Sequence, residues 1–292
     1  MGLYFIYENN LYESQQIVRD IKKEVYIPDN NSYVKENINF NFVKMTSDFT
    51  PENKQDIINI YYTILNSGWD EFIFYCTYKD CIKDINDLSG ENSIITNLNN
   101  FVEPYNQFKS ISSTTTPHLN GKVTIKIEKT YNKDFITLIN KEVDKIYNEL
   151  NLEGKNAKDQ IKLIHDYIIN NTKYDNIKAI DINDNTYYSE NAFGPLFEGY
   201  AICSGYADLM SLFLEKFNIP NMRVPSEKHV WNLVYLDNKW LHLDLTWDDP
   251  YSEDGIDYLY YTYFLIDYDK LQKVKTSEHN FDESIYIEAL QK

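Results

Sequence analysis

GYAICSGYADLMSLFLEKFNIP, residues 199–220, reads as a helix that begins beside a cysteine. Tyr206, Met210, Phe213 and Phe217 recur at helical spacing, and Pro220 marks the far limit. Cys203 therefore stands near a helix N-terminus, where free N–H groups and the helix dipole favour a thiolate. Its neighbours Ala201, Ser204 and Gly205 are small or flexible, which would let a substrate backbone come close. Alone, a cysteine so placed is more often a buried structural thiol than a nucleophile.

The next apolar stretch changes that balance. HVWNLVYLDNKWLHLDLTWDDP, residues 229–250, reads as two strands, 230–236 and 239–246, joined at Asp237-Asn238, both of which tolerate positive φ. In the second strand Leu241, Leu243 and Leu245 take one face, and Trp240, His242, Asp244 and Thr246 share the other. An aspartate in so apolar a strand is costly unless paired. His229, at the head of the hairpin, supplies the partner. A thiol, an imidazole to exchange its proton and a carboxylate to orient that imidazole make a catalytic triad, so Cys203, His229 and Asp244 are the candidate catalytic residues.

Other residues nearby invite weaker readings. Trp231 and Asn232 alternate, so at most one faces a cleft, and Trp231 is the candidate wall. His242 reads as a structural histidine. A metal site of Cys203, His229 and His242 would leave Asp244 unexplained, so no metal and no cofactor are expected. Asp248 and Asp249 before Pro250 are too few carboxylates for calcium.

Upstream, Ile139, Val143, Ile146 and Leu150 form one helical stripe, Gly154 breaks it, and Ile161, Ile164 and Ile168 form a second. Before residue 134 the pattern is that of a small α/β unit. Residues 39–46 (NFNFVKMT) read as a strand, and Thr50 as an N-cap with Pro51 at the first helical position. Ile57, Tyr61, Ile64 and Leu65 form a helical stripe that Gly68 stops. Phe72–Cys76 and the alternating Val123, Ile125 and Ile127 read as strands. The expected domains are 1–134, an N-terminal α/β domain of unknown role, and 135–292, the catalytic domain.

The chain has 292 residues, 43% of them hydrophobic, enough for a sizeable core. With 28 Lys and Arg against 45 Asp and Glu, the net charge is −17, which disfavours nucleic acid and anionic lipid as partners. No apolar run is long enough to cross a bilayer, so no membrane insertion by this chain is expected. The opening MGLYFIYENN lacks a basic n-region, so no signal peptide is expected in it. That leaves either a cytoplasmic protein or one whose leader has been removed. Cys76 and Cys81 either bridge, in an oxidising compartment, or remain thiols.

IHDYIINNTKYD (164–175), SENAFGPLFEG (189–199) with the cysteine helix, the 229–250 hairpin and YYTYFLIDYDKL (260–271) together resemble the bacterial transglutaminase-like superfamily. The resemblance covers roughly residues 135–292 and keeps the order Cys, His, Asp. It implies an α+β, papain-like core in which the nucleophile helix packs on an antiparallel sheet. Cys203 would be the nucleophile, His229 the general base and acid, and Asp244 the orienting partner. It also implies attack on peptide or side-chain amides through a Cys203 thioester, resolved by an amine or by water, with a protein or peptide as substrate and an extracellular or surface location. The residues before Cys203 depart from the better-defined branches: Phe197 and Tyr200 stand where a Trp or Gln would complete the oxyanion hole. Tyr200 is the candidate second donor, and Tyr174, Asp175, Tyr187 and Tyr188 the candidate groove border. The competing expectation is a binding or scaffold protein that keeps the fold without catalysis.

Overall fold

A computed structural model describes residues 4–7, 10–13, 24–36, 40–89, 94–116, 121–250 and 258–290. The elements are β1 (Tyr4–Tyr7), β2 (Asn10–Glu13), α1 (Lys54–Asn66), β3 (Glu71–Tyr75), α2 (Cys81–Leu88), α3 (Ile94–Leu98), β4 (Phe108–Thr116), β5 (Lys122–Lys129), α4 (Lys133–Glu149) and α5 (Ala157–Asn171). After them come β6 (Lys173–Tyr174), α6 (Asn176–Ile180), β7 (Tyr200–Ala201), α7 (Cys203–Lys216), β8 (Asn221–Pro225), β9 (Val230–Leu236), β10 (Lys239–Leu243), α8 (Leu245–Asp248) and α9 (Tyr268–Val274). The fold is α+β.

The sheet that positions the site runs β10-β9-β8, antiparallel throughout. Its hairpin turns at Asp237 and Asn238, with φ of 52° and 63°, the two consecutive left-handed residues of a type I′ turn. Alternation splits the sheet's side chains between two cores. Val234 and Leu243 pack with Leu209, Met210 and Phe213 of α7, and behind α7 with Ile139 and Val143 of α4 and Ile161 and Ile164 of α5. Met222, Val224, Trp231, Leu233 and Trp240 point the other way, into a core with Phe40, Ile57, Tyr61, Phe74 and Val123 from the N-terminal part of the chain.

The N-terminal elements follow the expected apolar spacing with two corrections. Helix α1 is not capped by Thr50: Asn53 accepts from the Asp56 N–H at 3.1 Å while the Asp56 carboxylate accepts from the Asn53 N–H at 3.2 Å. This reciprocal box satisfies two end groups at once, and Thr50 is instead held by Asp48, whose Oδ1 accepts its N–H at 2.9 Å. Residues 40–46 are not a strand, and residue 39 lies outside the described residues. They run irregularly along α1, the N–H groups of Lys44 and Thr46 donating to the side chains of Asn59 and Thr63 at 3.0 and 2.9 Å. Side-chain acceptors on a helix replace the strand partner that those N–H groups would need.

Strand β5 pairs with both β3 and β4, opposing Phe72 to Ile125 and Phe74 to Val123. A Cys76–Cys81 disulfide joins the end of β3 to the start of α2. Among the described residues, no helix is long and apolar enough to cross a membrane.

Candidate active site

Cys203 is the first residue of α7, and Ile202 before it offers no side-chain cap. The Gly205 N–H donates to the Ile202 carbonyl at 2.9 Å, so the N–H groups of Cys203 and Ser204 are the first-turn donors that face an anion at the sulfur or next to it. What crowds this turn is the protein's own chain. A Cβ on Gly205 would meet the Ser189 carbonyl oxygen at 2.3 Å. The Ile202 N–H donates to that same oxygen at 2.9 Å, and the Ser204 hydroxyl donates to the Glu190 carbonyl at 2.8 Å. The small residues around Cys203 thus admit the 189–191 loop, which sets the position of the cysteine. At Gly205 the room goes to the protein's own loop and not to a substrate backbone, whereas Ser204 borders an open cleft.

His229 precedes β9 and is buried. Its Nε2 lies 2.6 Å from Asp244 Oδ2, and the Cys203 side chain is near enough to act on the ring's charge. With Nε2 taken by the carboxylate, Nδ1 is the ring atom left for sulfur. Burial alone would disfavour the charged ring, but the Asp244 charge and hydrogen bond, with the Cys203 contact added, raise His229 to about 10. Asp244 moves the opposite way: burial works against its charge, and His229 and His279 hold it well below the usual carboxylate range.

Asp244 does not sit in the strand as its spacing suggested. Strand β10 stops at Leu243, and Asp244 becomes the N-cap of α8, its Oδ1 accepting the Trp247 N–H at 3.2 Å. One oxygen caps a helical turn and leaves the other free to face the histidines.

His279 escapes sequence reading. Its Nε2 lies 3.0 Å from the same Asp244 Oδ2, and it comes from a turn 35 residues further on. A lone histidine in TSEHNF has no periodic context, and its one sequence signal is the capping threonine at 276.

Trp231 lies behind the imidazole, stacked on it at 5.6 Å between ring centres and buried, so it supports His229 from the core and does not wall a cleft. Its indole N–H donates to His242 Nδ1 at 3.0 Å. Burial pushes His242 down to about 3. Asn232 takes the other face and donates to the Ala207 carbonyl and the Ser211 hydroxyl of α7.

Tyr200 stacks face to face on Tyr187 at 4.2 Å. Tyr174, which pairs with Ala201 across β6–β7, is half-buried and pushed up to about 12 by burial and then by the Cys203 charge. Asp175 is structural, capping α6 and bonding Ser189. Asp248 is likewise structural, held by the buried His165 at 3.2 Å and by the Tyr263 N–H at 2.9 Å.

Among the described residues, His229, Asp244 and His279 are the one group whose side chains could gather a metal. An ion in tetrahedral coordination, with bonds of about 2.0–2.1 Å, would hold its ligand atoms about 3.3 Å apart. The 2.6 and 3.0 Å contacts are instead those of shared protons. An open cleft of about 560 Å³ adjoins the site, lined in part by Asn97 and Asn100 from one side and by Ser204, Ser226, Val230 and Phe281 from the other.

No curated protein sequence matches the chain at a significant level. Among solved structures, one of a TGase is similar at 16% identity and a TM-score of 0.37, over 51% of this chain and 48% of that one. Another, of a protein described as a candidate cysteine protease from Cytophaga hutchinsonii, is similar at 15% identity and a TM-score of 0.29, over 47% of this chain and 61% of that one. The chain thus spans about half the length of the first and three fifths of the second. The sequence profile of the transglutaminase-like superfamily matches residues 144–245. Cys203, His229 and Asp244 all lie inside that span, so it is this part of the chain, with its candidate site, that is similar to the transglutaminase-like superfamily.

Proposed function

We propose that the protein is a thiol enzyme that cleaves or transfers acyl groups at peptide or side-chain amides through a Cys203 thioester. The observation that carries this reading is the His229–Asp244 pair, 2.6 Å apart and buried, with His229 raised to about 10 by Asp244 first and by Cys203 after it. At neutral pH such an imidazole is charged, so the proton needed by a leaving amine is already in place.

The thiolate attacks the amide carbonyl carbon, and the carbonyl oxygen takes the negative charge. The N–H groups of the first turn of α7 are the backbone donors for that oxygen. Tyr174, whose phenol feels the Cys203 charge, is a better side-chain donor than Tyr200, which is engaged with Tyr187. When the C–N bond breaks, His229 gives its proton to the leaving nitrogen. An amine or water then attacks the thioester, His229 takes the incoming proton, and the thiolate returns. The amide-rich cleft beside Ser204 and Val230 suits an extended polypeptide, whose backbone groups pair with side-chain amides.

The test is incubation with a glutamine-rich protein and a fluorescent primary amine. Label incorporation identifies transfer, and release of ammonia or peptide without label identifies hydrolysis. Cys203→Ala should lower either rate by about 10³-fold or more. No product from the wild type, together with iodoacetamide labelling of Cys203 no faster than that of a free thiol, would refute the reading and favour a scaffold.

A further inference from the structure

Asp244 serves two histidines, and the second lies outside the span that matches the superfamily. His279 is 1% exposed. Its ring stacks on Tyr263 at 4.6 Å and 8°, with Trp231 edge-on at 5.2 Å and Trp247 tilted at 5.3 Å. In a slot walled by three aromatic rings an apolar side chain would fill the volume with no polar group to satisfy. The imidazole is nonetheless satisfied at both nitrogens. The Thr276 N–H points at Nδ1 from 3.4 Å and the Thr276 hydroxyl lies 3.2 Å from it. A backbone N–H can only donate, so Nδ1 is the acceptor and the ring proton sits on Nε2, directed at Asp244.

We propose that His279 is a positioning residue of the candidate site: its neutral ring donates to the Asp244 oxygen that also receives His229, which fixes the carboxylate and divides its charge. The inference rests on the reading of Cys203 and His229 as the reacting pair, and its test can fail separately. Oδ1 is held by the Trp247 N–H and Oδ2 by two rings, so the carboxylate cannot turn without breaking a bond. Charge spread into the His279 bond is charge withheld from His229. The titratable groups facing His279 are Asp244, His229, His242 and Tyr263, with Asp248 and Asp267 acting on the same region.

Two variants of the full chain separate donor from filler. His279→Phe keeps a ring against Tyr263 and removes the donor, while His279→Gln keeps an N–H that can reach Oδ2. With Asp244 leaning on one imidazole alone, the His229 midpoint, followed by ring-nitrogen NMR, should rise by about half a unit or more in the Phe variant. The pH profile of Cys203 alkylation by iodoacetamide should change with it, and the Gln variant should recover both. An unshifted His229 in a folded Phe variant, or equal shifts in both variants, overturns the proposal. Should the Phe variant not fold, the wild-type spectrum at pH 7 decides: protonated Nε2 with bare Nδ1 on His279 upholds it, and the reverse tautomer overturns it. If Cys203 reacts no faster than a free thiol, the enzymatic reading falls, while the tautomer and the coupling to His229 still test this inference.

Discussion

Asp244 is buried and ionised, and its three donors explain how that is tolerated: two imidazole N–H groups and one backbone N–H surround the carboxylate. Replacing it by Asn would remove the largest effects that oppose burial at His229 and leave only Cys203 against it. We expect His229 in Asp244→Asn to fall below its ordinary value near 6.5, and iodoacetamide labelling of Cys203 at pH 7 to slow by about 10²–10⁴-fold. Ring-nitrogen NMR and the labelling rate check both outcomes. The same residues set how stability varies with pH. His229 is raised, so its contribution is complete below about 6.5 and is lost as pH climbs through about 10. His242 is lowered to about 3 and stays neutral when folded, so its effect runs the other way. Below about 6.5 the unfolded chain binds a proton that the fold refuses, and stability falls with pH. Asp244, lowered, adds a loss at the acid end as the pH falls through its folded value. Urea midpoints should therefore peak near neutral pH and decline on both sides. A midpoint that rose steadily from pH 5 to 9 would contradict this assignment.

At the scale of elements, helix α7 and the loop 189–191 form one unit. Gly205 allows the contact: its Cβ position lies 2.3 Å from the Ser189 carbonyl oxygen, and backbone there cannot yield cheaply. Gly205→Ala should cost about 1–3 kcal/mol through overpacking and displace the N-terminus of α7 from His229. Thermal unfolding measures the first effect and Cys203 labelling the second. Wild-type values of both would show that the loop is free to move. Elements were legible in sequence where periodicity was long, as in α1, α4, α5 and the β9–β10 hairpin. The misreadings occurred where a side chain supplied the deciding bond. Asn53 outcompeted Thr50 because Asp56 reciprocates, residues 40–46 found acceptors on α1, and Asp244 ended its strand by capping the next turn.

Over the whole molecule, the sheet β10-β9-β8 is a shared layer with an apolar core on each face. The N-terminal part is locked to it by rings and charges. Phe40 lies edge-on to Trp240 at 5.2 Å, and Phe101 stacks on Tyr286 at 5.3 Å. Arg223 of β8 reaches Asp208 of α7 at 2.6 Å. The same carboxylate accepts Gln107 at 3.0 Å and Tyr131 at 2.8 Å. Arg223→Ala strands a buried carboxylate and should cost about 3–5 kcal/mol, whereas replacing both partners by apolar residues should cost much less. Denaturant titration of the single and double variants checks this difference. Equal losses would show that the pair is not coupled.

The sequence by itself determined the helix behind Cys203, the hairpin with its Asp237-Asn238 turn, and the pairing of His229 with Asp244. These follow from local periodicity, from residues that tolerate left-handed backbone, and from the cost of burying an unpaired aspartate. Packing decides that His279 joins them, that Gly205 admits the protein's own loop, that Tyr200 stacks on Tyr187, and that Trp231 lies behind the imidazole. Each of these depends on which segments distant along the chain come within bonding distance, and that is set by packing across the sheet rather than by spacing along the sequence.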